Sequence, residues 1–194
     1  MKSIRIVTGS LSLLVFGALV LGQTPNAAGP NHFAKDGLSF DYPAGWQLND
    51  QSTAQMQLIQ LQRDGFAELR VRAPREWLKT PEKEAYAKKI MQDKYVEDFV
   101  DSLQQSGLRL NRSVVNTEIA GGPAEGARIR ATLGGDPGGM DSYYRIVSDR
   151  FVQLSQIGSE HDFARSATAW DMIRNSIKVE GAPEPKPSPP PKKP

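Results

Sequence analysis

The chain has 194 residues, of which 39% are hydrophobic and none is cysteine, and this excludes disulfide bonds, thiol catalysis and cysteine-ligated zinc. Its formal charge of +2 comes from its two ends, because residues 23–179 contain 19 basic and 20 acidic side chains. Such a balance argues against nucleic-acid binding, which needs a dense basic surface to neutralise phosphates.

Residues 1–22 have the features of a signal peptide. Lys2 and Arg5 give a basic start, and an apolar run broken by small residues follows over residues 11–21. This run is shorter than the roughly 20 apolar residues that a membrane-spanning helix needs. We therefore expect an exported protein, periplasmic or secreted, without membrane insertion after signal cleavage. An uncleaved anchor is the alternative.

A loose lead-in is predicted for residues 23–37, which are mostly small and polar and contain proline and glycine, and one folded domain for residues 38–179. Inside the domain, apolar and polar side chains alternate over residues 67–72, 113–119 and 127–133. Alternation of this kind is typical of strands with one buried face in an antiparallel sheet.

Residues 56–61 are a further predicted strand, in which the apolar positions change parity at Leu58 and Ile59. This slip indicates a bulge or an edge position. Turn-forming residues at 121–123 and 148–150 predict two hairpins between the later strands.

Two helices interrupt the strands. The first begins at Pro81, a residue favoured in the first turn, and runs to about Gln105, with a break near Gln92 as the alternative to a continuous helix. The second begins with a capping box formed by Ser159 and Asp162. Its apolar stripe has helical spacing and consists of Phe163, Ala167, Trp170, Ile173 and Ile177. The resulting order, ββββ-α-ββββ-α, predicts an α+β fold in which helices pack on an antiparallel sheet.

Residues 180–194 contain seven prolines, which fix the backbone and remove amide donors. Such a tract favours the extended polyproline conformation and cannot form a core. We predict a disordered Pro-rich tail that serves as a spacer or a weak docking strand.

Three stretches of the chain resemble PsbP-like domains, and the resemblance covers about residues 38–179. The first is Phe40-Asp41-Tyr42-Pro43-Ala44-Gly45-Trp46. The second is the turn and strand of residues 120–128, and the third is residues 151–179, where a strand precedes the helix through Trp170. Because these are turns and core positions, the resemblance implies a fold, the PsbP-like α/β sandwich, rather than an activity.

The PsbP-like family includes extrinsic photosystem II subunits, Ran-binding import factors and secreted bacterial domains of unknown function. Its members share non-catalytic binding to larger partners. Because residues 1–22 look like a secretory signal rather than a chloroplast transit peptide, the resemblance implies the secreted bacterial group.

Neither of the two histidines is predicted to catalyse a reaction or to bind a metal. His32 lies in the lead-in, where we expect a solvated side chain. His161 lies in the first turn of the second helix beside Glu160 and Asp162, which favour the positive helix end. The signatures HExxH and GxSxG are absent. We therefore predict no enzyme activity, no catalytic residues, no cofactor and no bound metal.

The glycine-rich residues 134–141 are predicted to be a long hairpin loop, because a strand follows them and the lysine of a phosphate-binding loop is missing. An alternative function rests on this loop. In that alternative the chain is a small-ligand or calcium-binding module in which Asp136 and Asp141 supply oxygen ligands.

Arginines at the outward positions of several strands are the best candidates for a binding surface. If the strands are neighbours, the guanidinium groups lie together and can hold carboxylates or phosphates bidentately. The alternative is that they pair across strands with Glu68 and Glu118. From these observations we expect a non-catalytic binding or accessory domain that acts on a protein or complex of the cell envelope. The five candidates are Arg70, Arg72, Arg128, Arg130 and Arg145.

Overall fold

A computed structural model describes residues 29–133 and 135–181, with the side chain of Leu133 excepted. The predicted signal peptide, and the predicted Pro-rich tail beyond residue 181, lie outside these residues. The described residues form ten strands and three α-helices. Their order agrees with the predicted α+β fold, with one strand added at each end.

Seven of the strands belong to one large sheet, and they are β3 (Gln47–Asp50), β4 (Met56–Gln62), β5 (Glu68–Pro74), β6 (Leu110–Ile119), β7 (Gly122–Leu133), β8 (Asp136–Val147) and β9 (Arg150–Ser159). The other three belong to a smaller sheet, and they are β1 (Asn31–Lys35), β2 (Leu38–Tyr42) and β10 (Lys178–Val179). The large sheet is antiparallel and has the strand order β3-β4-β5-β9-β8-β7-β6. The small sheet is also antiparallel and has the order β1-β2-β10.

Both predicted hairpins are confirmed. Ala120 and Gly121 connect β6 to β7, and Ser148 and Asp149 connect β8 to β9. All four residues have positive φ, as in the two-residue turns whose twist matches that of the flanking strands.

The first helical segment is not one regular α-helix, and its irregular part includes Gln92, where the alternative prediction placed a break. It consists of α1 (Pro81–Ala87), a π-helical segment (Lys88–Asp93) and α2 (Lys94–Gln105). Thr80 caps α1, where its side chain accepts a hydrogen bond from the backbone of Lys83. The wider π-helical turn changes the angular position of the residues that follow it, and such turns are frequent at functional sites.

The second helix, α3 (Glu160–Ser176), begins with the predicted capping box of Ser159 and Asp162. One residue of its predicted stripe is wrong, because Ala167 is exposed while Ser166 is fully buried. Ser166 lies inside because its Oγ accepts a hydrogen bond from the backbone N–H of Ala67, at 2.8 Å. A satisfied hydroxyl can therefore take a core position that hydrophobicity alone assigns to alanine.

Helices lie on both faces of the large sheet. α3 packs on one face, which we call the α3 face, and also contacts β2 of the small sheet. The π-helical segment packs on β8 and β9, and α2 packs on β6 and β7, on the opposite face, which we call the α2 face. The main core lies between the α3 face, α3 and the small sheet.

The predicted loose lead-in is wrong for residues 31–37. Residues 31–35 form β1, and Asp36 and Gly37 make a tight turn into β2 with positive φ at both positions. The ring of Phe33 stacks on that of Phe40 at 5.0 Å. The strand was missed because Phe33 is its single buried residue, which leaves too little alternation to recognise.

The predicted bulge in residues 56–61 is also wrong. β4 pairs without interruption with β3 on one side and β5 on the other, so it is neither bulged nor at an edge. The parity slip has a different cause, since Gln57 occupies a fully buried position beside Ile59 and Leu61. Its side chain donates to the carbonyl of Lys35 at 2.7 Å and accepts from Arg150.

Candidate functional site

The five predicted arginines do not form one surface. Strand pairing places Arg70 and Arg72 on the α2 face, and it places Arg128, Arg130 and Arg145 on the α3 face. β9 and β8 lie between β5 and β7 in the sheet. The face of each arginine therefore depends on a pairing register that no single strand reveals. The predicted single surface is wrong.

On the α3 face, two of the arginines hold a buried carboxylate. Arg128 donates to Asp141 at 2.9 and 3.2 Å, and Nη1 of Arg130 lies 2.8 Å from Oδ1 of Asp141, whose side chain is only 4% exposed. Arg130 also binds Glu160 and lies over the ring of Phe163 at 4.6 Å. The positive charges of both arginines are therefore matched by carboxylates of the same molecule.

The charge state of Asp141 follows from this arrangement. Burial by itself would raise the pKa of the Asp141 carboxyl, but the hydrogen bonds from Arg128 and Arg130 outweigh it and hold the pKa below its ordinary value. Gln156 also donates to this carboxylate, at 3.2 Å. Asp141 is therefore ionised, and its carboxylate stabilises the fold.

Arg145, the third arginine of this face, also has partners inside the protein. Its Nη1 donates to the carbonyl oxygens of Ile119 and Ala120, the latter at 2.9 Å, and so fixes the β6–β7 turn. The side chain of Glu118, one of the acids expected to pair with these arginines, is exposed, while its carbonyl accepts from Arg174 at 3.3 Å.

The predicted loop at residues 134–141 is wrong, because Asp136–Val147 is a strand. Asp136 pairs with Leu133, so β8 begins opposite the end of β7. Asp136 is exposed at the start of β8, whereas Asp141 is buried among arginines. The geometry therefore gives no support to a calcium or small-ligand site built from these two carboxylates.

On the α2 face, Arg72 has neither the carboxylate partner of Arg70 nor the pair of backbone carbonyls that holds Arg145. Its Nη1 donates to Oε1 of Gln153 at 2.7 Å, and its guanidinium lies over the ring of Tyr95 at 4.6 Å. Within residues 29–133 and 135–181, no carboxylate lies within 4 Å of it, while its neighbour Arg70 pairs with Glu68. Burial lowers the pKa of Arg72 from its ordinary value, since nearby carboxylates do not offset the loss of solvent.

A buried polar network holds Arg72 in place. Gln153, which accepts from Arg72, is fully buried, and its Nε2 donates to the carbonyl of Met91 at 2.9 Å and to Oε1 of Gln92 at 2.8 Å. Gln92 in turn donates to the carbonyl of Ser142 at 3.0 Å. Met91 and Gln92 belong to the π-helical segment, which turns both residues toward the sheet. The guanidinium is therefore oriented by the sheet below it and by Tyr95 beside it.

A mainly apolar groove of about 410 Å³ lies between the segment that follows β5 and the first helical segment. Tyr86 and Ile90 stand on its rim and are 68% and 42% exposed, among the most exposed large hydrophobic residues of the described chain. Its charged lining residues are Glu76, Glu82 and Lys83, of which Lys83 pairs with Glu76 at 2.7 Å. The apolar lining consists of Pro74, Leu78, Tyr86, Ala87, Ile90 and Met91.

Two lining residues connect the groove with Arg72. Pro74 follows Arg72 by two residues in β5, and the carbonyl of Met91 accepts a hydrogen bond from Gln153, the partner of Arg72. Tyr95 lies one turn after Met91 on the same helical segment. Sequence reasoning identified Arg72 but missed the groove. The available signal was the pair Tyr86 and Ile90, apolar and four residues apart on a helix, yet outside the core stripe.

A second cavity, of about 450 Å³, lies near the β4–β5 turn and is polar. Its lining includes one basic residue, Arg63, and two acidic residues, Asp64 and Glu68. The guanidinium groups of Arg63 and Arg165 each lie 4.6 Å from the ring of Phe66. This cavity has the composition of an ordinary solvated surface.

The two histidines lie far apart in the sequence and on separate elements. His32 is exposed on β1, with its Nδ1 2.6 Å from Oδ1 of Asp41, and His161 is exposed in the first turn of α3. Within the described part of the chain, no three His, Asp or Glu side chains converge as a metal site would need. The described helices include none with the length and apolarity to cross a bilayer.

Comparisons with known proteins bear on the fold. No family model matches the chain, and no curated protein does. The solution structure of cyanobacterial PsbP (CyanoP) from Synechocystis sp. PCC 6803 is similar, with a TM-score of 0.51, 14% sequence identity, and coverage of 79% of this chain and 94% of that one. Protein PA94 of unknown function from Pseudomonas aeruginosa is less similar, with a TM-score of 0.38, 12% identity and coverage of 79% and 99%.

The chain therefore has a PsbP-like fold, as its sequence motifs predicted. At this level of identity the likeness concerns the fold alone. What the chain does must be argued from its own surface.

Proposed function

We propose that this chain is an exported, non-catalytic accessory domain that binds a protein of the cell envelope, and that the apolar groove is its docking surface. The observation that carries the proposal is the exposure of Tyr86 and Ile90 on the rim of a 410 Å³ apolar groove. Apolar side chains exposed around a concave surface are typical of protein-binding sites.

The sequence and the fold support the same conclusion. Residues 1–22 have the composition of a secretory signal, which would carry the domain to the envelope. Members of the PsbP-like family, which the chain resembles in sequence motifs and in fold, share binding to larger partners. The groove accepts an apolar side chain or two, the size of the anchors that dominate protein interfaces.

The groove is tested by photo-crosslinking in living cells. A benzophenone amino acid replaces Tyr86 in one variant and Val114 in another, since Val114 is 83% exposed on β6, at the opposite edge of the large sheet from β3. We expect one defined adduct from position 86, absent from position 114, and lost when Ile90→Glu is added. Mass spectrometry of the adduct should identify an envelope protein.

Equal adducts from both positions, or an adduct that survives Ile90→Glu, would show that the groove is not the docking surface. An adduct with a cytoplasmic protein would contradict the assignment to the envelope. Circular dichroism of the Ile90→Glu variant should show an unchanged fold, because Ile90 is 42% exposed.

A further inference from the structure

We infer that the partner segment in the groove carries a carboxylate next to its apolar anchor, and that Arg72 is the residue that selects it. The inference rests on the proposed function and names the chemistry of the occupant. Its first support is the charge of Arg72, which no carboxylate within 4 Å compensates in the described residues, in contrast with Arg70, Arg128 and Arg130.

The second support is that two nitrogens of the Arg72 guanidinium have no hydrogen-bond partner among the described residues. Nη1 is bonded to Gln153, whereas Nε and Nη2, which share the other edge of the guanidinium, make no hydrogen bond in the structure. Among the described residues, the single buried side-chain nitrogen or oxygen without a partner is Oε1 of Gln156. Nε and Nη2 of Arg72 are therefore not completely buried, and this edge of a guanidinium is the one that can bind a carboxylate with two parallel hydrogen bonds.

The third support is that the guanidinium is already oriented. Tyr95 stacks against it, and Gln153 is itself fixed by Met91 and Gln92. A carboxylate that arrives there needs little further ordering of the protein, and pre-organisation of this kind raises affinity. It would also receive charge-assisted hydrogen bonds in a partly desolvated position, where they are stronger than in water.

The fourth support is position. Pro74, two residues from Arg72, and Met91, which accepts from Gln153, both line the groove, so one short segment can place an apolar side chain in the groove and a carboxylate at Arg72. A free anion such as phosphate would leave the groove empty. A protein segment uses both features, which is why we assign the occupant to a protein.

The experiment uses a random 12-residue peptide library displayed on phage and selected against the immobilised full chain. We expect selected peptides in which Asp or Glu lies within a few residues of Leu, Ile, Phe, Met or Trp. The same selection is repeated with Arg72→Gln, Arg72→Glu, Ile90→Glu and, as a matched control on the other face, Arg128→Gln. Each variant is first checked for an intact fold by circular dichroism.

The outcomes separate the two proposals. With Arg72→Gln the acidic preference should disappear while the apolar preference stays, and with Arg72→Glu basic residues should replace the acidic ones. Arg128→Gln should select the same peptides as the unaltered chain. Peptides that depend on Ile90 but show no acidic preference would overturn the role of Arg72 and leave the groove as a docking surface. If none of the selected peptides depends on Ile90 for binding, both proposals are wrong.

The affinity of a selected peptide tests the same inference quantitatively. For one selected acidic peptide, fluorescence anisotropy should give a Kd that rises at least about tenfold with Arg72→Gln, as expected for the loss of a bidentate charged pair. Arg72→Lys should restore only part of the affinity, because an ammonium group lacks the planar edge that binds two oxygens. Full affinity in Arg72→Gln would contradict the inference.

Discussion

Arg130 and Arg72 lie on opposite faces of the same sheet, and their guanidinium groups have different partners. Arg130 binds Asp141 and Glu160 and lies over Phe163. Arg72 has the same kind of aromatic neighbour, Tyr95, but a neutral amide takes the place of the carboxylates. The charge of Arg130 stabilises the fold, while we propose that the charge of Arg72 is available to a partner.

The number of arginines on a sheet therefore does not identify a binding surface. Two features distinguish a cation that serves the fold from one that can serve a ligand, namely whether a carboxylate of the same chain lies in contact and whether donors remain accessible. The following predictions test this distinction, from the largest expected effect to the smallest.

Asp141→Asn should lower the free energy of unfolding by about 2–4 kcal/mol, because it removes the charge that compensates Arg128 and Arg130 in a buried position. Urea denaturation followed by circular dichroism measures this. Asp136→Asn is the control, since Asp136 is exposed on the same strand and should change stability by less than about 0.5 kcal/mol. Equal effects of the two substitutions would remove the structural role of Asp141.

Gln92→Ala should cost about 1–3 kcal/mol, because it removes one hydrogen bond from the buried side chain of Gln153 and one from that of Ser142. Since Gln153 orients Arg72, the same substitution should also weaken binding of an acidic peptide. Gln104→Ala, at an exposed position of α2, is the matched control and should change neither quantity. Loss of stability without loss of binding would show that the network does not position Arg72.

Stability should fall in acid partly through Asp141. Its folded pKa is depressed, so the stabilisation that it gives is present above the unfolded pKa of about 3.9 and is lost as the pH falls through the folded value. Asp50, whose pKa is lowered to about 2 mainly by the hydrogen bond from Lys35, contributes in the same direction. Urea midpoints between pH 5 and pH 2 should therefore decline less steeply in Asp141→Asn than in the unaltered chain. Parallel curves would contradict the assignment.

Arg72→Gln should change the free energy of unfolding by about 1 kcal/mol or less, because it removes a charge that no carboxylate balances together with one hydrogen bond. Arg130→Gln should cost more, about 1–3 kcal/mol, since it breaks contacts to two carboxylates. Urea denaturation of both variants tests the difference. A larger loss for Arg72→Gln than for Arg130→Gln would reverse our comparison of the two faces.

The sequence predicted the features of the fold that depend on local signals. The capping box of Ser159 and the proline start at Pro81 each need only a few neighbouring residues. The two hairpins are also local, and their turns, predicted at residues 121–123 and 148–150, lie at residues 120–121 and 148–149. The motifs between residues 38 and 179 then predicted the PsbP-like fold, which the likeness to CyanoP supports.

Features that depend on contacts between distant residues could not be predicted. The face of each arginine follows from the register across β5, β9, β8 and β7. The burial of Gln57, Gln153 and Ser166 could not be predicted, because the groups that bond their polar side chains lie far away in the sequence. The groove likewise lies between residues near Pro74 and a helix that is far from them in the sequence. The exposed side chains of that helix cannot be distinguished from ordinary surface residues by sequence alone.

The most direct test of the central claim is the affinity of one selected acidic peptide for Arg72→Gln and Arg128→Gln, measured by fluorescence anisotropy at two salt concentrations. We predict that Arg72→Gln raises the Kd at least about tenfold and reduces its salt dependence, while Arg128→Gln leaves both unchanged. Equal losses in the two variants, or none in either, would contradict the claim that Arg72 is the arginine available to a partner.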